Sequence, residues 1–215
     1  MSNETDALIE RLSREAAPVR PLAPPHRRVA LWLALALPVL ALAVAAMGPR
    51  DDLAARLGEA RFVIEQGAAL ATAITAAFAA LVLVTPGMDQ RLALLPAVPG
   101  AVWAGTLGAG CIADWMRAGS DGVRLAPEPA CLVYIAAIGL VPALALVAML
   151  RRGVPLAPRA TLFLAGLAAA GLANFGLRLF HDTDAALMVL IWQFGSVLVL
   201  SGAAALAGRA VLGRG

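Results

Sequence analysis

Two cysteines and one histidine with nearby carboxylates are the side chains here most able to do chemistry. Cys111 and Cys131 are the only cysteines. Thiols oxidise, pair as disulfides or bind soft metals, and they also serve as small apolar residues. The 19 residues between them form a loop that can bring them together, so a disulfide or redox pair and two structural thiols both stay open. His181, Asp182 and Asp184 form a second group. A histidine with two carboxylates can hold a divalent metal, but without a second histidine or a defined spacing it reads as a polar turn. His26, beside Arg27 and Arg28, reads as interfacial. Within the long apolar runs there is no Ser/Lys, paired-Asp or H-E-x-x-H set of an intramembrane hydrolase. The chain therefore reads as no enzyme, and neither a cofactor nor a resident metal is expected.

These residues are set among six long apolar runs: Val29–Met47, Gly67–Val84, Leu92–Gly110, Ala130–Leu150, Ala160–Phe180 and Ala185–Gly208. A bilayer core about 30 Å thick needs roughly 20 apolar residues per helix. Backbone groups in lipid must pair internally, so runs of this length are helices. The chain is 61% hydrophobic and 14% charged, where soluble domains carry about 25% charged residues. The fold class expected is an all-α integral membrane protein, a six-transmembrane-helix bundle with a short cytoplasmic N-terminal amphipathic helix. Ala43-Val44-Ala45 is an A-x-A pattern, but the acidic, proline-containing lead and the long apolar run speak against a cleaved signal peptide.

All 17 basic residues are arginines. With the N-terminus inside, 11 fall on inside segments and 6 outside, and the positive-inside rule then puts both termini in the cytoplasm. Asp51, Asp52, Glu59, Glu65, Asp114, Asp121, Glu128, Asp182 and Asp184 all fall outside. The basic balance thus reflects orientation, not nucleic-acid binding. Inside the spans, Asn174, Gln193, Thr72, Thr75, Thr106 and Ser196 are the main polar groups, and Glu65 and Arg178 stand at outer ends. Lack of mid-span charge weakens a transporter reading. Ala69, Ala73 and Ala77, and Ala165, Ala169 and Ala173, make small-residue stripes that suit intrachain packing, with a homodimer interface as the functional alternative. Pro38 and Pro142 are expected to kink their spans. Trp32, Trp103, Trp115 and Trp192 are expected as interfacial anchors. Leu53–Glu65 is expected as an interfacial helix.

Three segments follow: a cytoplasmic segment 1–28, the membrane bundle 29–208 and a cytoplasmic tail 209–215. Residues 5–17 hold good helix formers without Gly or Pro. Thr5, Leu8, Ile9, Leu12 and Ala16 share an arc of roughly 100°. Glu10 and Arg14 form an i,i+4 pair in the favourable order. Pro18 stops the helix, and Pro18, Pro21, Pro24 and Pro25 make a stiff spacer. A helix this short is marginal alone and needs a surface, either the membrane or bundle, or the groove of a partner.

Against this background, the N-terminal D-A-L-I-E-R-L and A-P-V-R-P-L-A-P-P resemble the NrsF family of membrane anti-sigma factors. Further matching stretches are A-C-L-V at Ala130–Val133, L-R-R-G-V-P-L-A-P at Leu150–Pro158, and L-F-H-D-T-D-A-A-L-M-V-L-I-W at Leu179–Trp192. The resemblance implies a six-span protein of the bacterial inner membrane. It implies that the cytoplasmic segment sequesters an extracytoplasmic-function sigma factor and releases it on an envelope stress signal. Partner binding would fall on Leu8, Ile9, Leu12, Pro18, Val19 and Arg20, with no direct contact to nucleic acid. The resemblance also implies sensing by two outward-facing cysteines. Cys131 stands at the first position; the second, after His181, is Asp182 here. Sensing candidates are therefore Cys111, Cys131, His181 and Asp182. The alternatives are a small six-span transporter or channel and, third, a membrane oxidoreductase using Cys111 and Cys131.

Overall fold

Each apolar run forms a helix, and the prolines and glycines between the runs mark where helices begin and end. The computed structural model describes residues 2–15 and 22–213. No strand occurs among them. The order is α1 (Ser2–Glu15), α2 (Pro25–Met47), α3 (Leu53–Leu57), α4 (Ala60–Val82), α5 (Ala97–Ala118), α6 (Ala130–Leu150) and α7 (Pro158–Leu177). A last rod joins α8 (Ala186–Met188), a π turn (Val189–Phe194) and α9 (Gly195–Leu212). Pro25 and Pro158 open α2 and α7, where a missing N–H costs nothing. Gly48 and Gly119 follow α2 and α5 at φ 80° and 58°, a turn that a side chain would strain.

Six stretches are long and apolar enough to cross a membrane. Successive spans run in opposite directions, so loops 48–59, 119–129 and 178–185 gather at one end. Cross-links there include Arg50 N–H to Leu179 O and Ala186 N–H to Asp114. Loops 83–96 and 151–157 lie at the other end, where Arg28 donates to Met149 O at 2.5 Å.

Span limits move where charges are satisfied inside a helix. The second span starts at Ala60 rather than Gly67, because Arg61 and Glu65 pair at 2.7 Å along the helix. The third runs past Gly110 to Ala118, so Cys111 sits within a helix and not at its end. Asp114 on that extension accepts from Ala186 N–H and pairs with Arg117. The interfacial helix expected over Leu53–Glu65 is instead split: α3 ends at Leu57 and α4 takes up the rest.

The fifth span, α7, is the centre, packed by α2, α4, α6 and α9 and buried along most of its length. Both alanine stripes are buried within this one chain. A Cβ on Gly171 would lie 3.5 Å from Ala73 Cβ, so α4 and α7 approach almost backbone to backbone. Two tryptophans correct the sequence reading. Trp32 is fully buried and donates to Pro142 O at 2.9 Å. Trp103 is buried edge-on against Phe194 at 4.9 Å. Both rings serve the core, since an interior indole N–H or ring edge finds its partner there. Trp115 is exposed and Trp192 half-buried, as interfacial residues would be.

Candidate functional site

The end that gathers loops 48–59, 119–129 and 178–185 holds most of the ion pairs among the described residues, and the loop after α7 organises them. This loop starts with a tight turn: Arg178 N–H bonds Asn174 O and His181 N–H bonds Leu177 O. It carries two clusters on neighbouring residues.

The first cluster centres on Asp184. Arg50 grips it with both terminal nitrogens, at 3.0 and 2.5 Å. Arg56 reaches it at 2.7 Å and Arg178 at 3.2 Å. Arg50 also pairs with Asp52 at 2.5 Å and donates to His181 O at 3.2 Å. Arg178 donates to Thr183 O at 2.5 Å, lies 3.6 Å from Glu65 and stacks over Phe62. Arg50, Arg178 and Glu65 are all buried. The hydrogen bonds to Asp184 raise the Arg50 pKa, and the bond from Arg50 holds Asp52 down at about 2. The bond to Asp52 raises Arg56. Burial lowers Arg178, opposed by Asp184 and Glu65. This network ties the first loop, α4 and the α7–α8 loop together, and buried charges are retained only when paired this way. A polar cavity of about 40 Å³ lies among Arg56, Arg61, Glu65, Arg178 and Asp184.

The second cluster is built by the first turn of α6. Glu128 stands two residues before α6, and its backbone carbonyl accepts from the Cys131 N–H at 3.3 Å, so this turn sets the two residues side by side where the helix starts. His181 Nε2 lies 2.8 Å from Glu128 Oε1, 3.7 Å from Cys131 Sγ and 3.2 Å from Thr183 Oγ1. The Thr183 hydroxyl also donates to Glu128 at 2.9 Å. Cys131 is fully buried at the floor, while Glu128 and His181 are partly open. Tyr134 packs one turn below, edge-on to Phe180.

Of the sensing candidates, the structure brings Cys131 and His181 together. Asp182 is exposed and stands apart from this cluster, and Asp184 belongs to the arginines instead. Cys111 is a free, half-buried thiol, and Cys131 is also free. Sequence reasoning missed Glu128 and Thr183. The E-P-A-C spacing, a carboxylate three residues before a helix-start cysteine, was the available signal.

Two interior amides also differ from their neighbours. Both side-chain atoms of Gln193, fully buried in the π turn, lack a hydrogen-bond partner, as does Oδ1 of buried Asn174. At the distal N-terminus, residues 4–15 of α1 are exposed on every face, with Leu8, Ile9 and Leu12 at 50%, 59% and 54%. The Glu10–Arg14 pair forms at 2.5 Å. Pro18, Val19 and Arg20 lie outside the described residues.

A family model described as negative regulator of sigma F matches residues 12–213, taking in all six spans. The chain belongs to the NrsF family. No curated protein and no solved structure matches it. Within this NrsF protein, both end clusters fall inside the matched region. Leu12 opens that region, and Leu8 and Ile9 precede it.

Proposed function

We propose that this NrsF protein is a membrane-bound anti-sigma factor. It sequesters an extracytoplasmic-function sigma factor through its N-terminal segment and releases it on an envelope stress signal. The family supplies a sigma factor as partner. The observation that carries the segment's role is the bare apolar stripe of Leu8, Ile9 and Leu12, which the bundle leaves uncovered. A marginal helix with such a stripe gains most by entering a groove. Its four acids, Glu4, Asp6, Glu10 and Glu15, against Arg11 and Arg14 favour a protein groove over an anionic lipid surface.

In this reading residues 1–28 are the cytoplasmic tether, 29–208 the bundle and 209–215 a cytoplasmic tail. The arginine bias supports an orientation in the bacterial inner membrane with both termini on the cytoplasmic side and the ion-paired end outside. Pro18, Val19 and Arg20 extend the contact beyond the helix. The protein acts by occupying a surface that RNA polymerase needs, without touching nucleic acid. Helix α2 is the direct link between tether and outer end. Arg28 in its first turn caps α6, and Arg50, just beyond its last turn, grips Asp184. A change in the outer loop therefore has one rigid element along which to reach the tether.

The test is co-purification of the sigma factor with full-length protein in membranes. Burying a leucine is worth about 1.5–3 kcal/mol, so Leu8→Asp or Leu12→Asp should each weaken retention roughly 10- to 150-fold. Each should also raise the sigma factor's regulon without stimulus. Undiminished retention in both variants overturns the tether.

A further inference from the structure

The Glu128–Cys131–His181 cluster has the geometry of a ligand set, with Glu128 rather than Asp182 beside Cys131 and His181. One ligand atom from each residue lies within 4.8 Å of the others. A tetrahedral zinc with bonds of about 2.0–2.3 Å needs ligand atoms roughly 3.3–3.7 Å apart. Nε2 and Sγ are already 3.7 Å apart. Nε2 and Glu128 Oε1, at 2.8 Å, need to open only slightly. His181 Nε2 thus lies between the other two ligand atoms, and all three fall within 4.8 Å, so modest side-chain shifts would close them on one ion. The imidazole is aimed there by the loop, whose carbonyls at His181 and Thr183 are held by Arg50 and Arg178.

We propose that Glu128, Cys131 and His181 form a three-ligand site for a divalent transition-metal ion of the zinc type, with its fourth position open. Thiolate and imidazole together select such an ion over magnesium or calcium, which take all-oxygen shells. The partly open Glu128 and His181 give the ion a way in, and buried Cys131 closes the floor. An open fourth position suits an exchangeable ion rather than a permanent staple. Binding is a proton exchange. The metal–sulfur bond replaces Cys131 S–H, and that proton leaves to solvent. His181 presents a neutral Nε2 lone pair by carrying its proton on Nδ1. Glu128 Oε1 turns from His181 and Thr183 to the ion. Ion binding would thus clamp the start of α6 to the loop that holds Arg50. Only its effect on sigma release rests on the function proposed above.

The experiment titrates cobalt(II) into purified full-length protein in detergent, with no sigma factor present, so its outcome is independent of the tether. One equivalent should bind with intense tetrahedral d–d absorption and a thiolate-to-cobalt charge-transfer band. Zinc should bleach both. Cys131→Ser should abolish the charge-transfer band. His181→Ala and Glu128→Gln should weaken binding by more than the roughly 10- to 100-fold lost when a ligand's outer hydrogen-bond partner is removed. Cys111→Ser and Asp182→Asn should bind as the parent does. A spectrum lacking the thiolate band, or binding unchanged in Cys131→Ser, overturns the site. Thermal melts of each variant separate lost ligation from lost folding. If Cys131→Ser does not fold, retention of parental affinity by both His181→Ala and Glu128→Gln overturns it equally.

Discussion

Asp184 receives three guanidinium groups, from Arg50, Arg56 and Arg178, and its neighbour Thr183 turns its hydroxyl to the other cluster. Two adjacent residues thus join separate networks, and low local dielectric makes such paired charges matter to the fold. Its acid sensitivity has a definite sign. The folded Asp52 carboxyl is held at about 2, below its ordinary 3.8. The stability it confers is complete above the ordinary value and is lost as pH falls through about 2. The melting temperature should therefore show no Asp52-dependent change between pH 8 and 5 and should decline below pH 4. Asp52→Asn should melt lower at pH 7 and decline less. Melting curves across pH check this, and parallel curves for parent and variant would sink it. Gln193 makes the opposite case. A fully buried amide with neither atom paired carries an uncompensated desolvation cost of about 1–3 kcal/mol. Gln193→Met keeps the shape and removes that cost, so it should raise the melting temperature. A lower value would show that the amide has a partner in the membrane, such as water.

At the scale of elements, the bundle depends on small residues where α7 meets its neighbours. A Cβ on Gly166 would lie 2.9 Å from Ser201 Cα and 3.0 Å from Ala204 Cβ. Helices that close gain their attraction from backbone contact, since lipid offers no hydrophobic drive between them. Gly166→Leu should push α9 from α7 and cost about 1–3 kcal/mol or more, read as a lower melting temperature in detergent. A variant as stable as the parent would mean the two helices are not held at this distance. The π turn at Val189–Phe194 lies higher on the same rod, between α8 and α9. Such turns rotate the face that follows, and here the rod presents Val197 and Ser201 to the core.

For the whole molecule, the start of α2 and the end of α9 lie at one end of the six-helix bundle and the ion-paired loops at the other. Reporter fusions at Gly119 and Gly213 should report opposite sides, with Gly213 cytoplasmic. Agreement between the two would break the six-span arrangement. The end that carries Arg28 and the end that holds the two clusters are joined through α2 and α7, which together carry Arg28, Arg50 and Arg178 at or near their ends.

The sequence alone determined the six helices, because a run of about 20 apolar residues has no other stable form in lipid. It determined the alanine stripes as packing surfaces and the Glu10–Arg14 pair on α1, since both follow from helical spacing. It also carried the family, through short motifs spread along the chain. Tertiary structure decided the rest. Whether Trp32 anchors at an interface or fills the core depended on Pro142 O, 110 residues away. Asp182 and Asp184 look alike in the sequence, yet one is solvated and the other holds three arginines. Glu128 joined Cys131 and His181 only because the start of α6 and the end of α7 meet. Helical periodicity is local and survives without partners, whereas charge pairing and ligand geometry depend on which helix ends become neighbours.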